Sequence, residues 1–231
     1  MTLIFGGLLA ALVCGPLSVS PVVAQSDDPC RNPRNLPTII VEVEARAERT
    51  SMKYTAEELH RYANQVDPLP TGYRHFGFME TLREFTTNAS VRSGTDEYKN
   101  FCFSPDTITV TVSFAPVIYV PGEYPRTDCP AGAIRLHELR HLDIHEQALR
   151  ELPRLIRRAL EQEHDLRITR KARDRKHAVQ LVRDLALRVT ERVGRQQDAD
   201  YRIRHLEMDS PERYRENLSI CGEAEWAGLM D

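Results

Sequence analysis

Alternation of apolar and polar residues marks the strands of this chain. Residues 38–48 place Ile39, Val41, Val43 and Ala45 on one side and Glu42, Glu44 and Arg46 on the other, a period of two that predicts a half-buried strand with one wet face. Residues 107–114 alternate strictly, with Ile108, Val110, Val112 and Phe114 inward and threonines outward, and residues 117–120 form a second short apolar run. Pro116 and Pro121 confine these runs to edge or terminal positions, because proline has no N–H to give to a ladder. An edge strand there could take up an extended peptide through main-chain hydrogen bonds. Aromatic Tyr73, Phe76, Phe78 and Phe85, with Thr86 and Thr87, predict one or two further strands.

Helical signals follow a different period. Thr55-Ala56-Glu57-Glu58 is a capping box, in which the Thr hydroxyl and Glu carboxylate satisfy each other's free backbone donors, and it predicts a short helix to about residue 64. A helix beginning near Ala131 runs through Ile144, Ala148 and Leu152 until Pro153 kinks it or starts a new one. The charged stretch beyond Leu155 carries Ala178, Leu181, Val182, Leu185, Val189 and Val193 at helical spacing, an amphipathic helix that packs back on the rest. Ser210-Pro211-Glu212 breaks that run. The elements predict an α+β fold: an N-terminal, mostly antiparallel sheet with a short helix, then a motif-bearing helix and a long amphipathic one.

Composition adds bounds. With 231 residues, 41% hydrophobic and 28% charged, the chain can bury one sizeable core. A formal net charge of −3, from 31 basic and 34 acidic residues, argues for neither nucleic acid nor an anionic membrane as partner. Residues 1–24 lack charged side chains and join an apolar run to a small-residue end, Pro21-Val22-Val23-Ala24, which reads as a secretory signal peptide. The run is too short and too broken by Gly15-Pro16 for a transmembrane span, and Cys14 is a lesser alternative as a lipid-attachment site. The expected organisation is a signal peptide at 1–24, a flexible mature N-terminus at 25–37, one domain at 38–209 and a tail at 210–231. Localisation is then secreted or periplasmic, where Cys30, Cys102, Cys129 and Cys221 would form two disulfides. Sequence leaves three pairings open, and Cys102 with Cys129 would brace the loop entering the motif helix.

The chemistry concentrates at His137-Glu138-Leu139-Arg140-His141, an HExxH motif. On a helix, residues four apart lie on one face, so both imidazoles can point at one ion, with Glu138 beside its open side as general base. Catalytic zinc takes three protein ligands and leaves a position for water, whose pKa falls to about 7. A third ligand is therefore required. His145 sits roughly 12 Å along the axis from His137, too far to share the ion on a straight helix, and suits a supporting role. Better candidates come from the long second helix: Asp198, Asp200 and His205. Asp143 or Asp200 could polarise a zinc histidine, and Tyr201 or Tyr214 could donate to an oxyanion.

Cys102, the 107–114 strand, the run Val117-Ile118-Tyr119-Val120-Pro121 and the extended motif His137-Glu138-Leu139-Arg140-His141-Leu142-Asp143-Ile144 resemble the bacterial domain-of-unknown-function 922 family of secreted, predicted HExxH zinc peptidases. In that family an Asp and a His five residues apart follow a long helical stretch, and Asp200 and His205 match that spacing. The resemblance implies a zincin-like fold, one zinc ion held by His137, His141 and His205, a peptide or protein substrate, and Glu138 as the catalytic base. Leu139, Ile203 and Leu206 depart from the family pattern. A partial resemblance to the aspzincin peptidases, through Gly194, Asp198 and Tyr201, offers Asp198 as third ligand instead. The expected function is a secreted or periplasmic zinc metallopeptidase; the alternative is a catalytically inactive metal-binding or interaction module of the cell envelope.

Overall fold

A computed structural model describes residues 30, 36–68, 74–126, 128–222 and 226. The expected signal peptide, Cys14 and most of the mature N-terminus lie outside these residues, as does the side chain of Tyr214. In chain order the elements are β1 (Thr38–Ala45), β2 (Arg49–Ser51), α1 (Ala56–Val66), β3 (Phe78–Thr95), β4 (Phe101–Tyr119), α2 (Cys129–Gln162), β5 (Arg170–Lys171), α3 (Arg175–Met208) and α4 (Pro211–Leu218). The fold is α+β.

The sheet is built around β4. Strand β3 lies antiparallel along its whole length, with a register shift between Ser90 and Val91. The other edge of β4 is shared end to end: β5 pairs antiparallel at Cys102 and Phe103, β1 parallel at residues 107–114, and β2 parallel at residues 117–119. The sheet is therefore not the mostly antiparallel one expected. Alternation reports which face of a strand is wet, not which way its neighbour runs, and the parallel partners of β4 come from some 70 residues upstream.

Residues 107–114 and 117–120 also prove to be central rather than edge structure. Pro116 fits because of where its nitrogen points. The amide of Arg46 donates to the Phe114 carbonyl, and the amide of Val120 donates to Ser51; alternation of backbone direction then turns the Pro116 nitrogen towards the same edge. There, β1 has ended opposite Phe114 and β2 begins opposite Val117, so no strand asks for the missing N–H.

The inward face of β4 is as the alternation predicts. Ile108, Val110 and Val112 are fully buried against Leu152, Ile156 and Leu160 of α2 and Ala178, Val182, Ala186 and Val189 of α3. That packing also explains why α2 runs through Pro153 as one 34-residue helix: three fully buried side chains flank the proline, and their burial outweighs the roughly 3 kcal/mol that an interior proline costs. A smaller cluster, with Ile118, Val120, Ala131, Ala133, Ile134 and Trp226, seats the first turns of α2 on the far end of β4.

Disulfides join Cys30 to Cys102 and Cys129 to Cys221. The Cys102–Cys129 pairing is excluded by the length of β4, since Cys102 is the second residue of that strand and Cys129 follows its far end. Cys129–Cys221 ties the first residue of α2 to the chain that follows α4. Among the described residues, no helix is long and apolar enough to cross a membrane.

The capping box forms as predicted, the Glu58 amide donating to the Thr55 hydroxyl at 3.2 Å and the Thr55 amide to the Glu58 carboxylate at 2.9 Å. Thr55→Ala is expected to lower unfolding free energy by about 1 kcal/mol. Leu152→Ala, which opens a cavity beneath Pro153, is expected to cost about 2–5 kcal/mol, both read from urea denaturation.

Candidate metal centre

The site exists because α2 and α3 pack antiparallel in one register. Buried Gln197 donates its side-chain amide to the Ala148 carbonyl at 2.7 Å. Stepping forward along α3 and back along α2 from that bond brings His205 opposite His141, and then Asp209, the residue capping α3, opposite His137. Both motif histidines and Glu138 are on the buried face of α2.

Three ligand atoms converge. His137 Nε2 and His141 Nε2 are 3.1 Å apart, and they stand 3.1 and 3.0 Å from the same carboxylate oxygen of Asp209. Ligands about 2.0–2.1 Å from one tetrahedral ion stand about 3.3 Å from one another, so the donor triangle has the dimensions that a zinc-sized cation requires. The set His137, His141 and Asp209 could hold a metal ion. Two nitrogens and one oxygen suit zinc among several divalent metals.

The electrostatics follow from crowding. Burial pushes the Asp209 carboxyl up, but hydrogen bonds from His137 and His141 outweigh it and hold the group well below the usual carboxylate range. Burial lowers His141, yet the Asp209 hydrogen bond and the charges of Glu138 and Asp209 leave it raised. Burial raises Glu138, with the two imidazoles opposing. Burial and the neighbouring imidazoles bring His205 down to about 4 and His145 to about 3, so both rings are neutral near pH 7.

The expected third ligands are placed as follows. His205 does not join the triangle; its Nδ1 lies 2.8 Å from His141 Nδ1, behind that ring. Asp198 forms an ion pair with Arg83, whose guanidinium also donates to the Gly194 carbonyl at 3.3 Å. It stands eleven residues before Asp209, about 16 Å short along the helix axis. Asp143 and Asp200 are exposed. Tyr201 is buried beneath the Arg204 guanidinium and lines the same cleft, one turn further from the triangle than His205. His145 lies against His205, the two rings tilted by 41° with centroids 4.5 Å apart, and reaches Phe114 on β4. Asp209 was overlooked because it sits next to Ser210-Pro211 and reads as a helix stop. The signal that could have found it is the antiparallel register itself, which brings residues beyond 205 back to His137.

A cleft of about 880 Å³ opens over this set. Its walls come from the start of β3, including Phe78, Glu80 and Arg83, from the α2 face bearing the motif, and from the α3 face running from Glu191 to Asp209. Gly77 lies at the point of closest approach: a Cβ there would stand 2.4 Å from Ile134 Cγ2 and 2.7 Å from Glu138 Oε1. Only a residue without a side chain lets β3 enter over the motif helix at that height.

Asp209→Ala is expected to weaken zinc binding at least tenfold in chelator competition, whereas Asp198→Ala leaves it unchanged. Gly77→Ala is expected to displace Glu138 and keep the ion, measurable as retained metal stoichiometry with loss of any hydrolytic activity.

Comparison with protein-family models, with curated proteins and with solved structures yields no match for this chain.

Proposed function

We propose that this chain is an exported zinc metallopeptidase of zincin-like type, with His137, His141 and Asp209 as ligands and Glu138 as general base. The observation that carries the reading is the donor triangle with a buried carboxylate one residue along the same helix. Two histidines and a carboxylate form the ligand type of one class of catalytic zinc site. When bound, zinc supplies Lewis acidity and lowers the pKa of water.

The rest of the chemistry falls to the chain. Burial raises the Glu138 carboxyl, which makes it a better proton acceptor for a water molecule than an exposed carboxylate, and it can return that proton to the leaving amine. Residues of β3 that line the cleft belong to a strand whose described pairing is with β4 along one side, so its other edge can add an extended peptide by main-chain hydrogen bonds. This reassigns the peptide-docking edge from the 107–114 run to β3. The two disulfides are compatible with an oxidising, extracytoplasmic setting, which favours a peptide or protein outside the cell as substrate.

A second reading, a metal-binding module of the cell envelope without turnover, is favoured by one observation: Glu138 is 5% exposed, lying beneath Gly77. Cleavage of a peptide library separates the two. Under the peptidase reading Glu138→Gln retains one zinc per chain and loses about 10²- to 10⁴-fold in turnover. Wild-type protein that binds zinc and cleaves no member of the library would leave the second reading standing.

A further inference from the structure

We propose that His205 is the positioning residue of the metal centre: it accepts the Nδ1 proton of His141 and thereby turns the His141 Nε2 lone pair towards the ion site. The inference rests on the metal-binding half of the proposed function and is independent of whether a peptide is cleaved.

The geometry leaves one workable arrangement. His141 Nδ1 and His205 Nδ1 are 2.8 Å apart, so a proton lies between them and belongs to one ring. Were it on His205, neutral His141 would carry its own proton on Nε2, which is 3.0 Å from Asp209 and 3.1 Å from His137 Nε2. That nitrogen would then have no lone pair for a cation. With the proton on His141 Nδ1, a cation would have to displace only the second proton, the one that Nε2 gives to Asp209, which leaves a neutral ring with its Nε2 lone pair on the ion; His205 serves as acceptor with its remaining proton on Nε2.

The second arrangement leaves a trace. His205 Nε2 is buried and has no hydrogen-bond partner among the described residues. A buried N–H without a partner is costly, and it persists where the surrounding structure fixes the ring. The ring is fixed on both sides. His205 lies nearly parallel to His141, at 5.1 Å and 16°, and its other neighbour is His145 at 4.5 Å. His145 in turn meets Phe114, an inward residue of β4, at 6.3 Å. A column of rings therefore runs from the sheet to the ligand, and the position of His205 is set by the core. A metal-bound imidazole commonly donates its other N–H to a carboxylate, a carbonyl or water; here a neutral imidazole takes that place.

The test uses the full chain and zinc, with affinity from chelator competition and coordination from the absorption spectrum of the cobalt-substituted protein. His205→Ala is expected to keep one ion per chain and the cobalt band positions, and to bind zinc about 10- to 100-fold more weakly. His205→Gln, whose side-chain carbonyl can accept the same proton, is expected to recover most of that loss. In the wild-type zinc-loaded protein, nitrogen-resolved NMR is expected to place the His141 proton on Nδ1, a measurement that needs no variant to fold. The proposal is overturned by unchanged affinity in His205→Ala, by a His205→Gln as weak as the alanine variant, or by a His141 proton found on Nε2. A changed cobalt spectrum with lost stoichiometry would make His205 a ligand and also overturn it. Wild-type protein that binds no ion would sink this inference together with the metal reading, whereas an ion bound without peptide cleavage would sink the peptidase reading alone.

Discussion

The antiparallel register of α2 on α3 is the constraint on which the site depends. A motif helix alone offers two histidines and a carboxylate, and no third ligand can come from its own next turn, because the helical rise carries His145 away from the ion. The ligand has to arrive from another element. The Gln197 bond to Ala148 sets the axial alignment, and α3 then ends with Asp209 level with His137. A shift of one turn in that packing would bring His205 level with His137 instead. Which side chains converge is thus decided by the fit of buried side chains in the core, at Val182, Ala186 and Val189 against Leu152, Ile156 and Leu160.

Several features secure the end of α3 where Asp209 lies. The amide of Asp209 closes the helix onto the His205 carbonyl at 3.0 Å, so the two residues share one turn. Beyond it, α4 leads to Cys221, which returns to the first residue of α2 through a disulfide. The segment carrying Asp209 is held at both ends to the helix carrying His137. Gly77 completes the enclosure from the sheet side by admitting β3 close to Glu138.

Much of this was legible in the sequence where a local rule governs it. The inward set Ile108, Val110, Val112 and Phe114, the capping box at Thr55 and the stripe along α3 all follow from period and side-chain chemistry within a few residues, and each stands in the structure as read. What was not legible depends on distant partners. Parallel pairing of β1 with β4 joins residues some 70 apart, and the tolerance of Pro116 depends on where two other strands stop. The pairing of Cys129 with Cys221 spans 92 residues. The group that could complete a metal site was missed for the same reason: spacing pointed to Asp198, Asp200 and His205, while packing brings Asp209, four positions past the last of them, beside His137 and His141. His205 stands beside His141 but outside the converging set, since neighbourhood in sequence does not say which ring nitrogen faces which partner.

Two histidines of α2 and the carboxylate of Asp209, the residue that ends α3, could hold a single metal ion. X-ray absorption at the zinc edge of the zinc-loaded protein measures that shell directly. Two imidazole nitrogens at about 2.0–2.1 Å and a carboxylate oxygen at about 2.0–2.2 Å, with no sulfur, are expected. A shell of three imidazoles, which would place His205 on the metal in place of Asp209, would contradict that expectation.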